Sequence, residues 1–172
     1  MIYLVSDSHL GHSKLCDPNF TPHPRPKDFS FQIIQGLTKY AKRENSLIHL
    51  GDVLLADKNS RKKWYGELSK AILGYGHSTL IKGNHDRESN AFYHDLGFDA
   101  VVDGTLDFAQ YVFSHRPENH HRNKLNIHGH MHGRPILDPD PHWKDISPEV
   151  VGYEPISLDG FCNLTDLDDI FS

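Results

Sequence analysis

The stretch Ile2–His9, IYLVSDSH, joins a short apolar run to two residues of metal-binding type, Asp7 and His9. A short apolar run bounded by polar residues is typical of a buried strand. Four more apolar runs end in the same way, at Gly51-Asp52, at Gly83-Asn84-His85-Asp86, at Ser114-His115 and at His128-Gly129-His130-Met131-His132. In an open α/β sheet the strand ends converge at one edge, where ligands bind. The sequence therefore predicts one polynuclear metal site that is assembled from distant parts of the chain.

The composition is that of a globular protein, with 37% hydrophobic and 24% charged residues in a chain of 172. A chain of this length is predicted to form a single domain, residues 1–172, that buries about two thirds of its unfolded surface. The formal net charge of −5 gives no global basic field, so it does not indicate nucleic-acid binding by charge alone.

The cysteine content and the hydropathy of the chain predict a cytoplasmic protein. The two cysteines, Cys16 and Cys162, allow one disulfide by parity, but so few cysteines are more typical of a reducing compartment. The first apolar run has no basic residues before it and is too short for a signal peptide. No stretch approaches the ~20 apolar residues that a membrane span needs.

The spacing of apolar residues predicts three helices in the first part of the chain. They are expected at Lys27–Arg43, at Ser60–Gly74 and at Glu88–Leu96, the second with Ser60 as its cap and with Trp64, Leu68, Ala71 and Ile72 on its inner face. The proline-rich stretch before the first helix, Pro18–Pro26, must be a loop, because proline fixes φ and lacks a backbone donor.

Beyond the third predicted helix, short apolar runs alternate with turn residues and predict strands. Three strands joined by tight turns are expected at Ala100–Val102, Thr105–Phe108 and Tyr111–Phe113. After them come a predicted loop at Pro135–Pro148, two final strands at Val150–Tyr153 and Ile156–Leu158, and an end, Thr165–Phe171, that forms one helical turn or frays. The order βαβαβ, then mainly β, predicts an α/β fold built as a two-sheet β-sandwich of mixed strands flanked by helices.

The individual motifs differ in how strongly they indicate a metal. Asp7 and His9 are two residues apart, as are His130 and His132, and alternation along a strand places such a pair on one side. Gly51-Asp52 alone is more often a turn. The tetrapeptide Gly83–Asp86 is more specific, since it supplies an amide oxygen, an imidazole that can carry a proton and a carboxylate able to orient that imidazole. Its alternative interpretation is a polar turn.

The combined ligand set indicates two metal ions. It contains two carboxylates, one amide and four imidazoles, namely Asp7, Asp52, Asn84, His9, His115, His130 and His132. A tetrahedral zinc ion needs only four ligands, so this larger set favours two ions that share a carboxylate. Nitrogen and oxygen ligands without thiolate suit Mn²⁺, Fe²⁺, Ni²⁺, Co²⁺ or Zn²⁺, and we expect Mn²⁺ to be the activating ion.

The chain resembles the calcineurin-like metallophosphoesterase superfamily in the whole ordered set of motifs: Asp7-x-His9, Gly51-Asp52, Gly83-Asn84-His85-Asp86, His115 and Gly129-His130-x-His132. The small single-domain bacterial and phage members are the most similar, since they share an opening like Ser6–His12 and a tail like Gly152–Leu158. The resemblance implies the αββα metallophosphoesterase fold and a phosphoric ester hydrolase.

The resemblance also implies roles for the residues of these motifs. One metal ion would be bound by Asp7, His9 and His132, and the other by Asn84, His115 and His130, with Asp52 bridging both. His85 would be the proton donor or charge stabiliser beside the phosphate, oriented by Asp86. Two ions about 3.5–4 Å apart lower the pKa of a shared water, which then attacks as hydroxide, and they hold the attacking and leaving oxygens of an in-line displacement. A protonated histidine can give its proton to the departing alkoxide.

Three further residues are candidates for contacts with the substrate, namely His12, Arg87 and Arg116. His12 follows the first metal motif, and each arginine directly follows a site residue. The alternatives are an ordinary loop histidine and solvent-exposed arginines.

The leading hypothesis is a phosphodiesterase of relaxed specificity, since so short a chain leaves little room for a cap over its site. The expected partners are phosphate esters: nucleotides, nucleic-acid ends or phosphoproteins, with no membrane and no obligate protein partner. The alternative is a phosphomonoesterase that acts on proteins or nucleotides. A second alternative is a non-catalytic protein-binding scaffold, which is disfavoured because His85 and Asp52 are both present.

Overall fold

The structure is a computed structural model that describes residues 1–118, 124–137 and 139–160. Cys162 and the predicted helical turn at Thr165–Phe171 therefore lie outside the described residues.

Five strands form the first sheet, in the order β4-β3-β2-β1-β9. Its parallel strands are β1 (Ile2–Val5), β2 (Ser46–His49), β3 (His77–Ile81) and β4 (Ala100–Val102), and β9 (Ile156–Ser157) pairs antiparallel with β1. The connections are the helices α1 (Phe29–Tyr40), α2 (Arg61–Ile72) and α3 (Asn90–Leu96), preceded by a 3₁₀ turn at Ser13–Cys16.

Four strands form the second sheet, in the order β5-β6-β7-β8. They are β5 (Thr105–Phe108), β6 (Tyr111–Ser114), β7 (Leu125–His128) and β8 (Trp143–Asp145), and a short helix, α4 (Pro148–Val151), follows. β5 and β6 are antiparallel, whereas β6, β7 and β8 are parallel.

The side chains of the first sheet alternate between two apolar cores. Tyr3 and Val5 belong to the core that also holds the inner faces of α1, α2 and α3, whereas Leu4 belongs to the core between the sheets. There it packs with residues of the second sheet such as Phe113 and Ile127, both fully buried. Successive residues of a strand point to opposite faces, so a sheet that is covered on both sides needs apolar residues at every position. The predicted fold class, two mixed sheets flanked by helices, is confirmed.

In helix α2 the predicted inner face is confirmed, but the predicted capping by Ser60 is wrong. Its buried residues are those predicted for the inner face: Trp64, Leu68, Ala71 and Ile72. The Ser60 side chain makes no capping bond; its hydroxyl donates to Asp57 Oδ1, which also accepts the Ser60 N–H at 2.9 Å. The Asp57 carboxylate therefore accepts both donors of Ser60, and the Ser60 side chain caps no N–H of the helix.

Three predictions for the second half are wrong in detail. The turn at Asp103-Gly104 does not close a hairpin: β4 pairs with β3 in the first sheet and β5 pairs with β6 in the second, so this turn carries the chain between sheets. The predicted loop Pro135–Pro148 contains β8, which pairs in parallel with β7. The predicted strand Val150–Tyr153 overlaps α4, because Pro148 occupies the first turn of a helix, a position that suits its fixed φ.

Within the described ranges, no helix combines the length and the apolar character needed to cross a membrane.

Candidate metal centre

The predicted ligands meet where five strands end. Asp7 and His9 follow β1, Asp52 follows β2, Asn84 follows β3, His115 follows β6, and His130 and His132 follow β7. Two clusters of possible ligand atoms result, each with all atoms within 4.8 Å of one another. The first contains Asp7, His9 and His132, and the second contains Asp52, His115 and His130.

In the first cluster the atoms converge on one carboxylate oxygen. Asp7 Oδ1 lies 3.7 Å from His9 Nε2 and 3.5 Å from His132 Nε2. Asp7 is fully buried, and His9 is nearly so. The three side chains therefore present one oxygen and two nitrogens to the same small volume.

The second cluster is formed around His115. Its Nδ1 lies 2.8 Å from the carbonyl oxygen of Leu50, and because a carbonyl can only accept, Nδ1 carries the proton. Its Nε2 is then an acceptor, 3.0 Å from Asn84 Oδ1 and 3.1 Å from His130 Nδ1. Asn84 thus lies beside this cluster.

Asp52 lies between the two clusters. Its Oδ2 is 3.4 Å from His9 Nε2 in the first cluster and 3.4 Å from His115 Nε2 in the second. The other oxygen, Oδ1, accepts the backbone N–H of His85 at 2.8 Å. One carboxylate oxygen therefore faces both clusters while the other fixes the orientation of the group.

The backbone of the centre is strained at the ligands themselves. Among the described residues, six that are not glycine have a positive φ, and five of these are candidate ligands: Asp7, His9, Asp52, His130 and His132. Such backbone is uncommon for residues with a side chain and is concentrated at functional sites. The expectation that strand alternation places Asp7 and His9 on one side is wrong in its reason, because β1 ends at Val5, before both residues. Left-handed turns, held by bonds such as His9 N–H to Asp52 O at 2.8 Å, bring Asp7 and His9 to the same cluster and place His130 and His132 in different clusters.

The hydrogen bonds of Asp7 test whether the residues fit a cation. Its Oδ2 accepts the Ser6 hydroxyl at 2.5 Å and the His130 N–H at 2.8 Å. Its Oδ1 and both ring nitrogens of His9 are buried without any hydrogen-bond partner. Buried polar groups are almost always paired, so a metal ion bound by Asp7 Oδ1 and His9 Nε2 explains why these two atoms have no hydrogen-bond partner. The nitrogen and oxygen donor set fits a divalent transition metal.

Electrostatics hold both carboxylates of the centre ionised. Burial acts to raise the pKa of Asp7, but its neighbouring imidazoles outweigh this effect and lower that pKa well below its ordinary value. Burial opposes ionisation of Asp52 too, but the neighbouring imidazoles of His115 and His9 lower its pKa overall. Burial lowers the pKa of His130 to about 4, so its imidazole is neutral at pH 7 and able to bind a metal.

The structure places Asp86 differently from the prediction. His85 is exposed at the mouth of the centre, with its ring centroid 5.5 Å from that of His9. Asp86 is buried, and its carboxylate accepts the backbone N–H groups of Asp52 at 2.6 Å, of Val53 at 3.0 Å and of Gly83 at 2.8 Å. The expectation that Asp86 orients the His85 ring is therefore corrected. Asp86 fixes the loop that carries Asp52.

Two of the three predicted substrate residues face the centre. His12 lines the same cavity, of about 250 Å³, as His9, Asp52 and His85. Arg116 Nη2 contacts Asn84 Oδ1 at 3.4 Å, next to the second cluster. Arg87 instead directs its Nε to the Asn84 backbone carbonyl at 3.4 Å and is exposed.

The sequence did not reveal a buried ion pair behind the first cluster, formed by Arg25 and Glu149. Arg25 lies in the proline-rich loop and Glu149 in α4. The Arg25 Nε donates to Glu149 Oε1 at 2.8 Å, and Nη2 donates to Oε2 at 3.1 Å. Neither residue belongs to an apolar repeat or a recognisable motif, so only the packing of a loop against a helix brings these two residues, 124 positions apart, together.

Gly129 is required by the close packing around Asp7. A Cβ at this position would lie 1.8 Å from Ser6 Oγ and 2.1 Å from Asp7 Oδ2. We predict that Gly129→Ala displaces the Asp7 carboxylate, lowers the free energy of unfolding by about 1–3 kcal/mol and abolishes metal binding. Thermal unfolding in chelator, followed by a titration with Mn²⁺, measures both effects.

Gly66→Ala is the matched control for this prediction. Gly66 lies in α2, and a Cβ there would meet no atom within 4 Å. Alanine is the better helix former, so this variant should be about 0.5–1 kcal/mol more stable and bind metal normally. A Gly129→Ala protein with unchanged stability and metal binding would show that the packing is not needed.

Comparisons with known proteins agree with the geometry. A family model described as calcineurin-like phosphoesterase matches residues 1–169. Uncharacterized protein MJ1445 of Methanocaldococcus jannaschii is 27% identical over 168 residues, which cover 92% of this chain and 87% of that protein.

Two solved structures share the fold. The protein of unknown function AQ665 from Aquifex aeolicus has a TM-score of 0.74 and 23% identity, covering 96% of this chain and 99% of its own. Nuclease MPE of Pseudomonas putida has a TM-score of 0.52 and 24% identity, covering 76% of this chain and 60% of its own.

Proposed function

Because this chain belongs to the calcineurin-like phosphoesterase family and is a metal-dependent phosphoesterase, we propose that it hydrolyses phosphodiesters with relaxed specificity. The observation that carries the proposal is the position of Asp52, whose Oδ2 is 3.4 Å from a histidine of each ligand cluster. That arrangement supports a bridging ligand between two divalent ions.

The residues of the centre would have different roles in the hydrolysis. Two bound ions would neutralise the phosphate and lower the pKa of a water molecule. One ion would be held by Asp7, His9 and His132, the other by Asn84, His115 and His130, and Asp52 would contribute to both sites. His85, exposed at the mouth, donates a proton to the departing alkoxide. Arg116 is close enough to Asn84 to place positive charge beside the bound anion.

The exposure of the centre supports a diester with a large ester group. Asn84 and His85 are both exposed, and no described segment covers them. A phosphate that reaches the two clusters can therefore keep substituents on both sides. A monoester would leave one of those directions unused.

Phe20 supports an aromatic ester group such as a nucleoside. Its ring is 51% exposed, lines the cavity of the centre and stands edge-on to His12, with centroids 5.7 Å apart. The loop that holds it forms a turn, in which the Phe20 N–H donates to Asp17 O at 2.9 Å. Stacking of a base on an exposed aromatic ring contributes about 1–3 kcal/mol.

We predict that Phe20→Ala raises KM at least about fivefold for thymidine 5′-(p-nitrophenyl phosphate), since 1 kcal/mol of stacking is lost. KM for methyl p-nitrophenyl phosphate, which has the same leaving group, should not change. Phe108→Ala is the matched control, because Phe108 is 48% exposed on β5 and does not line this cavity. An equal change of KM for both esters would rule out a stacking role.

The proposed activity is tested with protein that has been stripped of metal by a chelator. We expect no turnover until Mn²⁺ is added, and then a higher kcat/KM for bis-p-nitrophenyl phosphate than for p-nitrophenyl phosphate. A preference for the monoester would instead favour a phosphomonoesterase. Inactivity on both p-nitrophenyl esters and on nucleotides, oligonucleotides and phosphopeptides would refute the proposed enzymatic activity. Manganese as the ion and a cytoplasmic location remain predictions from ligand chemistry and cysteine content.

A further inference from the structure

We propose that Glu149 and Arg25 are positioning residues of the first ligand cluster, and that they act by fixing which nitrogen of His132 faces the metal ion. The inference rests on the metal centre of the proposed function and concerns residues outside its ligand set.

The contacts of Glu149 connect the ion pair to the imidazole. Glu149 Oε1 lies 3.0 Å from His132 Nδ1 and also accepts from Arg25 Nε. Arg25 Nη2, which can only donate, lies 3.2 Å from the same nitrogen, but it already donates to Glu149 Oε2 at 3.1 Å. A carboxylate can only accept, so we assign the Nδ1 proton to the shorter contact with Glu149, and the Nε2 lone pair then points to Asp7, 3.5 Å away. A carboxylate behind a metal-binding histidine fixes the tautomer and increases the basicity of the ligand nitrogen.

The contacts of Arg25 connect the same pair to the strained loop. Arg25 Nη1 donates to the backbone oxygen of Asp7 at 2.8 Å and to that of Ser8 at 3.4 Å. These oxygens belong to the left-handed turn that presents Asp7 and His9. One guanidinium therefore holds the loop of two ligands while its carboxylate partner holds the third.

Burial makes this arrangement different from a surface ion pair. The side chains of Arg25 and Glu149 are 0% and 4% exposed. Those of the ion pair Lys39–Glu154, which has the same N···O distance of 2.8 Å, are 56% and 58% exposed. Desolvation makes a buried pair a weak source of net stability. Its position directly behind a ligand gives it a geometric role: the pair holds the loop and the imidazole in one arrangement.

The first test compares Glu149→Gln with Glu154→Gln by calorimetric titration of Mn²⁺ into each chelator-treated protein. The amide keeps the size of Glu149 but removes its charge, and loss of such a partner lowers metal affinity by about 10–100-fold. Glu154→Gln should bind as the wild type does. Equal affinity in Glu149→Gln would overturn the proposal. If the wild-type protein itself bound no metal, the proposed function would fail with it.

The second test needs no variant and holds even if Glu149→Gln does not fold. In wild-type protein loaded with diamagnetic Zn²⁺, ¹⁵N–¹H correlation of the histidine rings reports the protonated nitrogen of His132. We expect a slowly exchanging proton on Nδ1 and the metal on Nε2. A proton on Nε2 would overturn the proposal while leaving the metal centre and the hydrolysis intact.

Discussion

Replacement of Asp52 by alanine is expected to remove both metal ions and all measurable hydrolysis together. Its Oδ2 is equidistant, at 3.4 Å, from His9 and His115, so a single truncation deprives both clusters of their shared anion. Its Oδ1 also fixes the backbone of His85, which then loses an acceptor. We expect kcat/KM to fall by at least about 10³, which corresponds to about 4 kcal/mol of transition-state stabilisation.

Asp52→Asn removes the charge of the side chain and keeps its shape, and Asp103→Asn is the control. The amide fills the same space but removes the anion, so it should also lose both ions. Asp103 follows a parallel strand of the same sheet, and its side chain is 70% exposed, so its variant should keep full metal content and activity. Elemental analysis after gel filtration gives the metal content. Loss of one ion with the other retained would show that Asp52 serves a single cluster.

Replacement of His85 by alanine is expected to leave the metal content unchanged and to reduce turnover according to the leaving group. General acid catalysis contributes about 10²–10⁴-fold when the leaving group is a poor one. p-Nitrophenolate departs without being protonated, whereas an alkoxide needs a proton in order to depart. The kcat of His85→Ala should therefore fall far more for alkyl esters than for p-nitrophenyl esters. The exposed ring, 5.5 Å from that of His9, is adjacent to the first cluster without belonging to it.

The measurement is kcat for a series of phosphate diesters that differ only in the pKa of the leaving alcohol. A steeper dependence in His85→Ala than in the wild type is expected. His77→Ala is the control, because His77 begins the strand whose other end leads to His85 and its side chain is 57% exposed. Equal losses for aryl and alkyl esters would show that His85 does not act as the acid.

The ligands were predictable because each belongs to a short motif that follows an apolar run in the sequence. Asp7, Asp52 and His115 each follow a short apolar run, and the carboxyl ends of parallel strands meet at one edge. Residue type alone identifies the possible chemistry, so no distance was needed to propose two ions. The geometry by which they meet was not predictable, since the positive φ values of His9 and His130 depend on neighbouring loops.

The supporting residues were not predictable because their partners are remote in sequence. Arg25 lies in a proline-rich loop and Glu149 in a helix that was predicted as a strand next to a loop. Asp86 has the position expected of a residue that orients His85, yet it binds backbone donors on the Asp52 loop. A polar side chain in a loop can choose among many partners, and only tertiary packing decides which one it meets.

The most direct test of the metal centre is anomalous scattering from crystals grown with excess Mn²⁺. We predict two peaks on either side of the Asp52 carboxylate, about 3.5–4 Å apart, one beside Asp7 and His132 and the other beside Asn84 and His115. A single peak, or none, next to Asp52 would contradict the account.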